Sequence, residues 1–244
     1  MFIHNRLGMV ESVETLIAQQ QRLNQVSNNL ANADTAGYKK ESVTFDEMLY
    51  NVTRNRQRVG KALNILTNQE QGVMEQTGNP LDVAIAGNGF FKVETPQGIR
   101  YTRAGNFELS ADGQLKMPNG AVVIGENGPI VVDGTKKVTI DRTGRISTDG
   151  QVVNRLSIVT FADLRDLQKA GENLFRPKDA AIEEQAASGA EVKQGFIEKS
   201  NVNTIEEMTQ LIDLHRAYEG QQKMISALDD INNLAISRVG ILPT

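Results

Sequence analysis

The last forty residues carry the most regular hydrophobic pattern in the chain. Leu211, Tyr218, Ile225, Asn232 and Val239 recur every seven residues, and Leu214, Gln221, Leu228, Ala235 and Leu242 form a second series three places later. Together they draw a mostly apolar stripe along one side of a helix, with Glu206, Glu207, Asp213, Glu219, Lys223, Asp229 and Asp230 mostly off it. Gly220 is the only Gly or Pro before Gly240 and Pro243 close the span, so the pattern predicts a helix from Thr204 to Leu242. A stripe this narrow and long fits a coiled-coil seam, and Gln221 and Asn232 sit on it as polar residues that lower stability and fix register. An amphipathic helix lying on its own domain carries a similar stripe, and periodicity alone leaves that reading open.

A partner helix is predicted at the other end of the chain. Met9, Leu16, Leu23 and Leu30 recur every seven residues, with Val10, Ile17 and Ala31 beside them and Val13 and Val26 nearby. No Gly or Pro falls between Gly8 and Gly37, so one helix runs from about Met9 to about Ala31. Asn28, Asn29, Asn32, Asp34 and Thr35 then weaken helix propensity, and Gly37 suits a turn. Two seam helices at the two ends imply that the termini lie together and that the middle is an insertion. The predicted class is α+β, with terminal helices pairing as a coiled-coil-like stalk around an inserted all-β domain.

The expected division is a helix in residues 1–40, a linker or extended connector in 41–80, an all-β domain in 81–190 and a second helix in 191–244. The stretch after Tyr50, to about Lys61, is polar with weak periodicity and belongs to the linker or extended connector. Eleven of the 21 glycines fall between Gly87 and Gly150, largely in turn pairs such as Asp112-Gly113, Asn119-Gly120, Asp133-Gly134 and Asp149-Gly150. Short runs between them, among them Arg100–Arg103, Ala121–Ile124 and Val138–Ile140, read as strands. Asp163–Lys169 is expected to make one helical turn, and Thr204 or Asn203 to cap the final helix.

Composition changes this picture mainly by exclusion. A net charge of −4 without a strongly basic region argues against nucleic acid. No cysteine means no disulfide, thiolate metal site or cysteine nucleophile. The start lacks a basic region followed by an apolar core, so no cleavable signal is expected, and no stretch is long and apolar enough to insert in a membrane. The two histidines, His4 and His215, lie on the terminal segments and suggest neither a base nor a metal ligand. Gly87-Asn88-Gly89 lacks a third glycine and precedes a strand-like run, so it fails as a phosphate loop. Asp112, Asp133, Asp141 and Asp149 mostly sit beside turn residues, and turn chemistry accounts for them better than acid–base catalysis. No catalytic constellation, cofactor site or metal site emerges, and the chain reads as one that offers interfaces.

Several segments carry a resemblance. Asn28-Asn29-Leu30-Ala31-Asn32-Ala33-Asp34-Thr35-Ala36-Gly37-Tyr38-Lys39 resembles the N-terminal signature of the axial proteins of the bacterial flagellum, the rod and hook group. Residues 81–91 and 101–107 look like the family's middle signatures, and Gln194-Gly195, Ser200–Asn203, Glu207–Thr209 and Arg216–Glu219 look like its C-terminal one. The length and the full β insertion resemble the two rod subunits that carry it. Gln222–Ile225 and Asp229–Asn232 look more like the proximal member, with the distal-rod subunit as the alternative.

The resemblance implies a structural subunit, not an enzyme, that assembles head to tail with copies of itself and with other rod subunits. The product would be a hollow helical shaft crossing the periplasm and transmitting torque, with paired terminal helices inside and β domains outside. It implies export through the flagellum's own type III apparatus, and terminal helices that stay unfolded until assembly. The assembly interface would include Leu16, Leu23, Leu30, Asn28, Asn29, Asn32, Leu211, Leu214, Tyr218, Ile225 and Leu228. Phe45 and Leu49 resemble the Phe-x-x-x-hydrophobic element that engages the export gate. From another class, a stalked β module directed at cell-wall carbohydrate would need an aromatic face, for which Phe90, Phe91, Tyr101 and Phe107 are the candidates.

Overall fold

The computed structural model describes residues 2–53 and 56–239, with side chains placed at 12–44, 64–231, 233 and 234. The fold is α+β, and the described chain divides into two compact units.

Most of the first unit consists of α1 (Phe2–Ala31), α2 (Thr204–Val239) and the strands β1 (Glu41–Thr53) and β2 (Arg56–Thr67). α1 starts earlier than expected and runs through Gly8, a residue that costs a helix interior about 1 kcal/mol relative to Ala. It stops at Ala31, after which Thr35 donates its amide to the Asn32 carbonyl and its hydroxyl to Asn32 Oδ1, both at 3.2 Å. α2 begins under an Asn203 cap, whose Oδ1 accepts from the amides of Ile205 and Glu206 at 3.1 and 3.4 Å. Glu206 and Glu207 place negative charge in its first turn, where the helix dipole favours it. Within the region expected as a linker or extended connector, β1 and β2 pair as a long two-stranded sheet. Backbone pairing needs no hydrophobic alternation, which is why the stretch left no strand signal in the sequence.

The second unit comprises residues 32–41 and 66–202, wider than the 81–190 expected. At its centre lies β5 (Phe90–Thr95), which follows β3 (Met74–Gln76) and β4 (Val83–Ala86). β5 pairs with β6 (Gly98–Thr102) and also with the strands Val122–Gly125 and Ile158–Thr160. Successive strand side chains point to opposite faces, so adjacent Phe90 and Phe91 enter two different cores. Phe91 and Val93 join the larger one with Val83, Phe107, Val123 and Ile130. Phe90 joins the smaller one with Tyr101, Phe161 and Phe175. The rings meet edge to face, Phe91 with Phe107 at 5.1 Å and Phe90 with Phe175 at 5.6 Å between centroids.

A meander of Val138–Ile140, Arg145–Thr148 and Gln151–Arg155 adds a three-stranded sheet. The helical turn expected at 163–169 is a short 3-10 turn, Leu164–Asp166, that gives way to the strand Leu167–Lys169. Two strands near the C-terminal end of the unit return to its beginning. Glu191–Gln194 pairs with β4, and Phe196–Glu198 pairs with β3. The carboxylates assigned to turns behave so: Asp133 and Asp141 accept from Thr135 and Thr143, and these hydrogen bonds hold both below the usual carboxylate range.

Replacing Phe91 with Ala is expected to destabilise the second unit by about 3–5 kcal/mol in chemical denaturation. Val152→Ala, at an exposed position on the Gln151–Arg155 strand, should stay within about 0.5 kcal/mol of the parent.

Candidate assembly interface

Within the first unit, α1 and α2 pack against each other. The only positions of α2 from 204 to 231 that are not exposed are Glu207, Leu211, Leu214, Tyr218, Gln221, Ile225 and Leu228. Their spacing alternates four and three, the same stripe that the sequence pattern predicts. Leu211, Leu214, Tyr218, Ile225 and Leu228 therefore all lie on the covered side. On α1, Ser12, Leu16, Gln19, Leu23, Val26 and Leu30 follow the same spacing and are buried or half-buried. Val13 and Ile17, expected near the stripe, are exposed. The side chains of Met9, Val10, Asn232, Ala235 and Val239, and all of Leu242, lie outside the described residues.

Gln221 is half-buried on the stripe, and the buried polar contact joins Asn29, one of the expected interface residues, to Glu207, which was not expected there. Asn29 Nδ2 donates to Glu207 Oε2 at 3.2 Å, and Gln25 Nε2 donates to Asn29 Oδ1 at 3.3 Å, all three side chains being buried. Glu207 belongs to the group of charged residues expected mostly off the stripe. Its position four residues before Leu211 puts it on the stripe, and that spacing was the available signal. The bond joins the end of α1 to the start of α2, so the chain leaves one helix close to where it enters the other. Of the other asparagines, Asn28 is exposed, and Asn32 is half-buried with its side chain holding Thr35.

In the second unit the N-terminal and C-terminal signature residues meet around one buried carboxylate. Lys39 Nζ donates to Glu198 Oε1 at 2.5 Å and to the Glu70 carbonyl at 2.6 Å. Arg103 Nη1 lies 3.5 Å from Glu198 Oε2, with the guanidinium 5.2 Å above the Phe90 ring. The Gly72 amide donates to the same carboxylate at 3.1 Å, and the Gly37 amide to the Glu198 carbonyl at 2.8 Å. Lys39, Arg103 and Glu198 are all buried. Burial pushes both Lys39 and Arg103 below their ordinary values, and the Glu198 charge opposes that shift.

Beside them, Asn201 accepts from the Lys40 amide at 2.7 Å and donates to the carbonyls of Asn68 and Glu70, both at 3.0 Å. Lys169 Nζ sits 3.8 Å from the Tyr38 ring centroid and donates to the Lys39 carbonyl at 2.8 Å. Gly37 is required twice over. Its φ of +67° favours glycine, and a Cβ there would lie 2.2 Å from the Ala104 nitrogen. The motif Thr35-Ala36-Gly37-Tyr38-Lys39 is thus a tight turn whose last residue carries the charge for Glu198.

Phe45 and Leu49 fall on β1, and their side chains lie outside the described residues. His215 is exposed on α2, and His4 has no described side chain. Phe90, Phe91, Tyr101 and Phe107 are all buried, so they form no aromatic face.

Comparison with known proteins agrees with this geometry segment by segment. Residues 12–39 match the family described as flagella basal body rod protein, and 84–148 match the flagellar hook protein FlgE/F/G D1 domain. Residues 193–238 match the flagellar basal body rod FlgEFG protein C-terminal family. The flagellar basal-body rod protein FlgF of Caulobacter vibrioides is 34% identical, over 91% of this chain and 93% of its own length. FlgG of Bacillus subtilis is 32% identical over 87% and 91%, and FlgG of Agrobacterium fabrum 34% over 89% and 93%. The chain belongs to the flagellar basal-body rod protein family, a structural family whose members assemble with other rod components in the flagellar basal body. Within it, the chain is a structural rod subunit of the proximal-rod type.

Glu198→Gln leaves two buried cations without a counter-charge and should cost about 3–5 kcal/mol in denaturant unfolding. Lys39→Met should cost less, because Arg103 still balances Glu198. Since the Lys39 ionisation is lowered on folding, the unfolded chain binds the extra proton between the folded value and 10.5. The parent should therefore gain stability relative to Lys39→Met as pH rises toward 10.5, and a flat difference would contradict the assignment.

Proposed function

We propose that the subunit builds its shaft through the heptad stripes of α1 and α2, which pair as a coiled coil and pack against the corresponding helices of neighbouring copies. The observation that carries this reading is the alternation of covered positions along α2 from Glu207 to Leu228. Head-to-tail contacts that do not close generate an open helical filament, and a hollow filament of this kind crosses the periplasm and transmits torque through rigid packing. Leu16, Leu23, Leu30, Leu211, Leu214, Tyr218, Ile225 and Leu228 carry the contact. Asn29 with Glu207 fixes its register, because a buried polar pair tolerates no shift of one helix along the other. Asn28 and Asn32 complete the N-terminal motif on the same interface.

The neighbours are other copies and other proximal and distal rod subunits. The chain reaches them through the flagellar type III export apparatus, with Phe45 and Leu49 as the element read at the export gate. Before assembly the helix pair lacks the contacts of neighbouring copies that complete its cover, so the terminal helices fold on incorporation. A carbohydrate-directed module draws no support, since the four aromatics it would present are in the core.

Ile225→Asp puts a charge in the seam, where an unpaired charge is strongly penalised. It should abolish basal-body assembly and motility while leaving the second unit folded. Motile cells with intact basal bodies would overturn the reading. Hydrogen exchange on the dilute full chain should show residues 12–31 and 204–239 exchanging almost freely and 81–175 protected. Equal protection of both would contradict folding on assembly.

A further inference from the structure

The second unit carries an open groove of about 630 Å³, lined entirely by its own residues. One side is the turn at residues 76–81, and the other is the segment 134–139. Gln194 ties the two together. Its Nε2 donates to the Pro80 carbonyl at 2.8 Å and to the Val138 carbonyl at 3.1 Å, while its Oε1 accepts from the Ile140 amide at 3.1 Å. The Gly195 carbonyl accepts from the amides of Thr77 and Gly78 at 2.9 and 3.1 Å, and its own amide donates to the Asp82 carbonyl at 2.8 Å. Both sides are thus held in place without a ligand, and the volume is that of a binding cleft.

The groove opens onto the larger core. Leu81 and Leu109, which pack against that core, remain only partly buried, and both line the groove. A Cβ on Gly134 would stand 3.4 Å from Leu109, and one on Gly78 would meet nothing within 4 Å, so the space beside them is free. The charged residues of the lining are Lys136 and Lys137, with no carboxylate among them. Lys136 has one exposed pairing, with Asp133 at 3.7 Å. The Lys137 ammonium makes no hydrogen bond or ion pair among the described residues.

We infer that this groove binds an acidic peptide segment of another protein. A carboxylate side chain meets Lys136 and Lys137, and a neighbouring aliphatic side chain settles on Leu81 and Leu109. Lysine ammonium groups are point charges on flexible stems, so they accept carboxylates without fixed geometry. The exposed Gln76 amide offers a donor and an acceptor to a peptide backbone. The lining has no aromatic ring on which a sugar could stack. In a chain of net charge −4, a local pair of cations without acids steers an acidic partner to this place and away from the rest of the surface.

The test is fluorescence anisotropy of a labelled hexapeptide alternating Glu and Leu, titrated with the dilute full chain. Saturable binding that weakens with added salt is expected. Lys136→Glu with Lys137→Glu should lower the affinity by about tenfold or more. Thr139→Trp, which obstructs the groove without changing charge, should lower it similarly. All three positions are exposed, so circular dichroism and denaturant unfolding should match the parent. Peptides with Lys in place of Glu, or Ser in place of Leu, should bind far more weakly. The inference is overturned if the Glu-Leu peptide shows no saturable binding, if either control peptide binds as well, or if either variant binds as tightly as the parent. Loss of self-association by Thr139→Trp in sedimentation would make a second copy the occupant, and would overturn it too.

Discussion

A stripe of two apolar positions in every seven cannot be covered by the helix that carries it. That geometric fact governs the first unit, because the stripe of α2 from residue 207 to 228 is covered only by what packs on it, and α1 supplies that cover. The cover is incomplete. Leu211, Leu214, Tyr218, Ile225 and Leu228 are half-buried, not buried, and the flanks beside them are open. The helix pair is therefore a unit with hydrophobic area still to bury, as suits a subunit of an assembly.

The second unit solves a different problem. Its core closes on itself around β5, which is buried on both faces by Phe90 on one side and Phe91 on the other. Into this closed body is set a charged cluster in which Glu198 faces Lys39 and Arg103. Removing a carboxylate from water is expensive, and here two cations and the Gly72 backbone amide offset that cost. The cluster joins a segment shortly after α1 to a segment shortly before α2. Both exits from the second unit toward the helices are thereby held by one buried interaction.

Much of this was legible in the residues. The two terminal helices, the seven-residue stripe of α2, the Asn203 cap and the turn-rich β region all follow from local pattern and propensity. The pairing of β1 with β2 was not legible, because it rests on backbone hydrogen bonds between strands and residues 51–61 are polar with weak periodicity. Nor was the Lys39–Glu198 pair, whose members are 159 residues apart.

The sequence by itself determined which face of each terminal helix is apolar, since helical spacing is a local property of the chain. It also determined where the chain turns, because Gly37 and the Asn- and Asp-rich turn pairs have local conformational preferences. Only the tertiary structure decided that Glu207 is matched by Asn29 on α1, and that Phe90 and Phe91 serve separate cores. It alone decided that one buried carboxylate gathers a lysine and an arginine from distant segments. A charge or an aromatic ring becomes structural through the neighbours that bury it, and those neighbours are assigned by the fold.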